Sequence, residues 1–107
     1  MNAAEALKKL RKQIDRADRE ILRALAERSR IVQEIAKAKA ELGLPVIHAA
    51  RRAEVQKERT RQGQKLGLNP KFVDKIFRLI QAESVQCQRV IIRKIKIKRS
   101  RSSKGKS

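Results

Sequence analysis

The sequence predicts an all-α protein, and three observations carry that expectation. Ala, Leu, Ile, Lys, Arg and Glu dominate, while the 107 residues hold four glycines, two prolines and no tyrosine or tryptophan; these are strong helix formers with few breakers. Apolar residues recur at helical spacing over most of the chain. The few turn signals, around Gly43 and Gly67, divide that pattern into three stretches. One domain at most is expected at this length.

The first helix is read over residues 7–42, on Leu7, Leu10, Ile14, Ala17, Ile21, Ala24, Ile31, Ile35, Ala38 and Leu42. Its stripe is uninterrupted by Gly or Pro until Gly43 and Pro45 supply a stop. A rod of about 54 Å overhangs a monomer whose radius of gyration is near 13 Å, so its apolar stripe calls for a second chain. After the GLPVIHAA loop, a second helix with a weak apolar stripe spans about residues 51–66 and ends at Gly67. Asn69 is a natural N-cap and Pro70 a natural first residue for the third helix. That helix carries Val73, Ile76, Phe77, Ile80, Val85, Cys87 and Ile91 and runs to at least Val90. Three helices per chain, with the long first helix covered by a second copy, is the expected architecture.

The net charge of +18 is unevenly placed. Residues 89–107 hold nine Lys or Arg and no acid, which leaves 20 cations against 11 acids, a net +9, for residues 1–88. Residues 1–90 are therefore read as the helical domain. Residues 91–107 are read as a basic tail that extends the third helix by a turn or two before a disordered Ser/Lys/Arg-rich end. The tail is a candidate for nonspecific polyanion binding, with a solvated extension as the plainer alternative. Cys87 is the only cysteine, which excludes an intrachain disulfide and fits a reducing compartment, so a cytoplasmic location is expected. No apolar run approaches a membrane span, and no membrane partner is expected.

Polar residues interrupt the apolar rows where chemistry is expected. Leu7, Ile14, Ile21, Ile35 and Leu42 fall at seven-residue steps, and the missing member is Arg28. A guanidinium in such a seam needs an anion, whether an interhelical carboxylate or a ligand. Lys39 follows by eleven residues, about 20° beyond three full turns and about 16 Å along the axis, so the two cations share a face wide enough for a small dianion. A solvated cationic stripe is the alternative. Arg11 is turned by about 100° from that face and about 25 Å away, so any ligand it meets lies in a partner's site; taken alone it is a surface arginine. Ser84 and Gln88 continue the row of Ile80 and are expected to face inward, as structural hydrogen-bonders or as neutral donors. No metal-ligand cluster, phosphate loop or Ser/His/Asp arrangement is present, and His48 lies in a loop. No metal and no cofactor are expected; what remains is a cationic, hydrogen-bonding pocket suited to a polycarboxylate.

The pieces LRKQIDRADREILRALAERSRIVQEIAKAK, GLPV, RRAEV and GLNPKFVDKIFRLIQAESVQCQ follow, in order and spacing, the helical (AroQ-type) chorismate mutases. The resemblance covers about residues 5–90. It implies an isomerase that rearranges chorismate to prephenate in aromatic amino-acid biosynthesis, as an interlocked homodimer with two sites, each using Arg11 of the other subunit. Carried over by position, Arg11, Arg28 and Arg51 look like carboxylate-binding residues with Ser84 beside them, and Lys39 and Gln88 like donors to the ether oxygen of the breaking bond. The family commonly places acids where this chain has His48 and Arg52, next to the substrate hydroxyl, so the resemblance implies reduced turnover or a water in their stead. An isochorismate-pyruvate lyase-like enzyme, a basic nucleic-acid-binding helical protein and a folded but inactive dimer are the competing readings.

Overall fold

The computed structural model describes residues 2–104, with side chains through Ser102. Three helices make up the fold: α1 (Ala3–Leu42), α2 (Ala49–Lys65) and α3 (Pro70–Lys104), with no strand among the described residues. The chain divides into two compact units, one up to Ile31 and one from Val32 onward.

The first unit consists of the N-terminal part of α1. Asn2 caps it: the Asn2 Oδ1 accepts from the Glu5 amide at 2.8 Å and its carbonyl from the Ala6 amide at 3.0 Å, which satisfies two of the donors a helix start leaves open. Leu7, Leu10, Ile14, Ile21, Leu22, Leu25 and Ile31 are all exposed. Among the described residues of this unit, only Ala6 and Arg28 are half-buried.

The second unit is built from the end of α1 and from α2 and α3. α2 and α3 run antiparallel, since Arg52, Gln56 and Gly63 meet Gln81, Asp74 and Val73 in turn. Gly63 is where they come closest. A Cβ there would stand 2.7 Å from Val73 Cγ2 and 3.1 Å from Cγ1, so only glycine admits this approach. Val32, Ala36, Val55, Val73 and Ile92 form the buried apolar core.

Both helix stops use glycine for its backbone. Gly43 (φ 68) and Gly67 (φ 83) are left-handed. The amide of Leu44 then reaches the Lys39 carbonyl at 2.9 Å, and that of Leu68 reaches the Gly63 carbonyl at 3.0 Å, the six-residue closure of a Schellman end. Asn69 caps α3 as its position suggested, with Oδ1 accepting from the Lys71 amide at 3.0 Å.

The end of α3 departs from the sequence reading. Instead of one or two turns beyond Val90 and then disorder, the helix continues through Lys104. Ile92 is buried and Ile91 and Ile95 half-buried, which anchors the first turns beyond Val90; from Lys98 to Lys104 the helix carries no apolar residue. The last part of the expected tail, residues 105–107, lies outside the described residues.

Candidate active site

The best-defined polar constellation sits where the last turn of α1, the following loop and α3 meet. Val32, Ala36 and Lys39 lie within about 60° of one another on α1, so the face that buries Val32 and Ala36 also draws in the stem of Lys39, which is half-buried. The Lys39 ammonium donates to the Val46 carbonyl at 2.6 Å and to Gln88 Oε1 at 2.8 Å. The Gly43–Pro45 turn makes the first bond possible by folding Val46 back over the helix end. Burial of the Lys39 side chain lowers its pKa from the ordinary lysine value, because desolvation disfavours the charged form.

Two of the ammonium's three N–H donors are thereby engaged, which leaves one. Gln88 is buried, and because its oxygen faces Lys39, its amide NH₂ is turned the other way. The ammonium's remaining N–H is thus available beside the amide, whose NH₂ joins it once the group rotates to present that end to a ligand. That is the equipment for stabilising negative charge growing on one ligand atom, not for nucleophilic attack or metal chemistry. Among the described residues no group of three or more His, Cys, Asp or Glu is placed to hold a metal ion.

The other residues singled out from the sequence take varied places. Ser84 is half-buried one turn before Gln88 and donates to the Ile80 carbonyl at 2.9 Å, the back-bond available to a serine in a helix. His48 is the N-cap of α2: its Nδ1 accepts from the Arg51 amide at 3.0 Å. Arg51 is exposed and paired with Glu54 at 2.7 Å. Arg52 is exposed on the rim of a groove of about 680 Å³ that also includes Ile47, Gln56, Asp74 and Gln81. Arg11 and Arg28 belong to the first unit, where Arg11 is exposed and Arg28 half-buried.

One network escaped the sequence reading. Gln81, buried on α3, donates to the Arg52 carbonyl at 3.3 Å and to Gln56 Oε1 at 2.8 Å. Gln56 in turn donates to Asp74 Oδ1 at 2.7 Å, and Arg78 Nε bonds the other Asp74 oxygen at 2.8 Å. The Asp74 pKa is lowered by its hydrogen bonds from Arg78 and Gln56. This chain locks the start of α2, with its arginines, to α3. The signal was available: Gln81 precedes Gln88 by seven residues, about 20° short of two full turns, and so stands in the same inward row.

Among the described residues, then, the protein is an all-helical chain that fixes an ammonium beside a buried amide. The chain belongs to the chorismate mutase type II family, whose model matches residues 10–89. It is similar to the T-protein of Haemophilus influenzae, at 32% identity over 84 residues, 78% of this chain and 22% of that protein. It is also similar to the T-protein of Enterobacter agglomerans, at 33% over 75 residues, 70% of this chain and 20% of that one. A bifunctional chorismate mutase/prephenate dehydratase of Buchnera aphidicola is 30% identical over 94 residues, 88% of this chain and 24% of the relative. The chain spans about a fifth of the length of these curated relatives.

Proposed function

We propose that this chain is a chorismate mutase, which converts chorismate to prephenate within aromatic amino-acid biosynthesis. The observation that carries the reading is the Lys39–Gln88 pair, held in a chain of the chorismate mutase type II family. The reaction is an intramolecular Claisen rearrangement: the ether C–O bond breaks as a C–C bond forms, with no proton transferred and no cofactor consumed. Negative charge gathers on the ether oxygen as that bond stretches. The free ammonium N–H of Lys39 and the Gln88 amide serve that oxygen, and they stabilise the transition state more than the ground state because the charge develops only there.

Arg28, Arg51 and the partner's Arg11 take the two carboxylates, with Ser84 beside them, and hold the substrate in the folded conformer that brings the reacting carbons together. Arg51 then exchanges Glu54 for the substrate, an inexpensive exchange for an exposed ion pair. Arg52 and His48 stand near the substrate hydroxyl, and the bond from His48 to the Arg51 amide holds the start of α2 in place for that role. We assign the enzyme to the cytoplasm, in keeping with its single free cysteine, Cys87; no helix among the described residues is long and apolar enough to cross a membrane.

The working form is a homodimer. Leu7, Leu10, Ile14, Ile21, Leu25 and Ile31 are each between 40% and 62% exposed. Covering what remains of them stabilises an assembly by about 1 kcal/mol per residue, roughly half the full burial of such a side chain. A second copy of the same stripe is the self-complementary cover, and it carries Arg11 into the neighbouring site. The test is incubation of the purified chain with chorismate and, separately, isochorismate. Prephenate from the first supports the assignment; pyruvate and salicylate from the second, without prephenate from the first, overturn it in favour of a lyase.

A further inference from the structure

The matched family region ends at residue 89, yet α3 continues through Lys104. After Glu83 the sequence contains no acid. Ile91, Ile92 and Ile95 occupy one face of this extension and are buried or half-buried, so that face is turned to the protein. On the opposite face, at 100° per residue, Arg89, Arg93 and Lys96 fall within about 60° of one another. Lys94, Lys98 and Arg101 form a second row about 60° wide; within residues 89–101 only Val90 and Ile97 stand between the two rows, while Arg99 lies exposed on the isoleucine side, beyond Ile95. Those six cations are exposed, as are Val90 at 42% and Ile97 at 45%.

We propose that residues 89–101 form a docking surface for double-stranded DNA, with the helix seated in the major groove and its two cation rows facing the two phosphate backbones. An α-helix fits that groove, which is about 12 Å wide. Two rows flanking a neutral, aliphatic floor match two lines of phosphates better than a single charged stripe does. A-form RNA offers only a deep, narrow major groove to such a helix. Single strands are held largely by stacking on aromatic side chains, and the stretch has none. A lipid surface is met by a broad apolar face; here that face is turned inward, leaving only Val90 and Ile97 outside. With no Asn, Gln, Asp or Glu between residues 89 and 101, base reading is minimal and the binding is sequence-independent.

The test is fluorescence anisotropy of a labelled DNA duplex of about two helical turns with the full chain, across a salt series. Six phosphate contacts predict a slope of log affinity against log salt near −5, or a weakening on the order of 10³-fold between 50 and 200 mM salt. The variant Lys94→Gln/Lys98→Gln/Arg101→Gln removes one row. It is expected to halve the slope, so that the same salt step weakens binding only about 40-fold, while helical circular dichroism and prephenate formation stay as in the parent. Lys8→Gln/Lys9→Gln/Lys12→Gln lowers net charge equally in the other unit and is expected to leave the slope unchanged. The proposal is overturned by absence of duplex binding at low salt, or by equal losses in the two variants. Equally, it is overturned by binding to vesicles of anionic phospholipid without binding to the duplex.

Discussion

Replacing Lys39 by methionine keeps a stem of similar length in the half-buried niche and removes the ammonium, with its bonds of 2.6 Å to the Val46 carbonyl and 2.8 Å to Gln88 Oε1. In the ground state the Val46 carbonyl and the buried Gln88 Oε1 lose their donor, at a cost of about 1–3 kcal/mol, which the charge no longer desolvated partly offsets. In the transition state it is larger, because a preoriented donor to a developing oxyanion is worth roughly 3–4 kcal/mol. The expected outcome is a fall of about 10²–10³-fold in kcat with KM changed little and a melting temperature lowered by only a few degrees. Stopped or continuous assays of chorismate loss, run beside thermal melts, separate the two effects. A variant that melts far earlier but turns over normally when folded would refute the catalytic role and leave Lys39 as a tether for the loop. Loss of chorismate binding without loss of kcat would equally count against charge stabilisation at the breaking bond.

Further predictions address pH, packing and the network behind the site. The Lys39 pKa is lowered by burial, so activity should decline on the alkaline side at a pH below the ordinary lysine range, in a kcat profile that Lys39→Met abolishes. Stability should move the other way there: the unfolded chain still binds the proton that the folded one has released, and the contribution of Lys39 to folding rises with pH. Gly63→Ala places a methyl 2.7 Å from Val73 Cγ2. Overpacking of about 1–3 kcal/mol exceeds the gain of about 1 kcal/mol in helix propensity. Melting should therefore fall by several degrees, and Val73→Ala in the same chain should restore part of it. Gln81→Leu leaves the Arg52 carbonyl and Gln56 Oε1 without their donor, at a cost of about 1–3 kcal/mol in denaturant unfolding; an unchanged midpoint would show that water takes its place.

The helix ends were legible because each rests on a local rule: Gly43 and Gly67 adopt the positive φ that a Schellman end needs, and Asn69 accepts from the Lys71 amide. The inward row of α3 was legible at Gln88, which lies in register with apolar neighbours. Gln81 went unnoticed because an isolated glutamine beside Ile80 looks like an exposed residue until Gln56 and the Arg52 carbonyl are seen opposite it. The pairing of Lys39 with Gln88 joins residues 49 apart, a contact no spacing argument reaches. Composition misled at the end of α3. The Ser, Lys and Arg content suggested disorder beyond the first turns after Val90; Ile91, Ile92 and Ile95 anchor those turns, and no apolar residue signals the helix from Lys98 to Lys104.

In the proposed dimer each site is completed by two chains, and subunit mixing tests this most directly. Arg11→Ala and Lys39→Ala, each nearly inactive alone, are unfolded together and refolded as a mixture while prephenate formation is followed. With a two-fold assembly in which Arg11 crosses over, one site of every mixed dimer carries both lesions and the other carries none, so activity returns to about a quarter of the parent's. Activity that stays at the level of the separate variants, although mixed dimers have formed, contradicts a shared site.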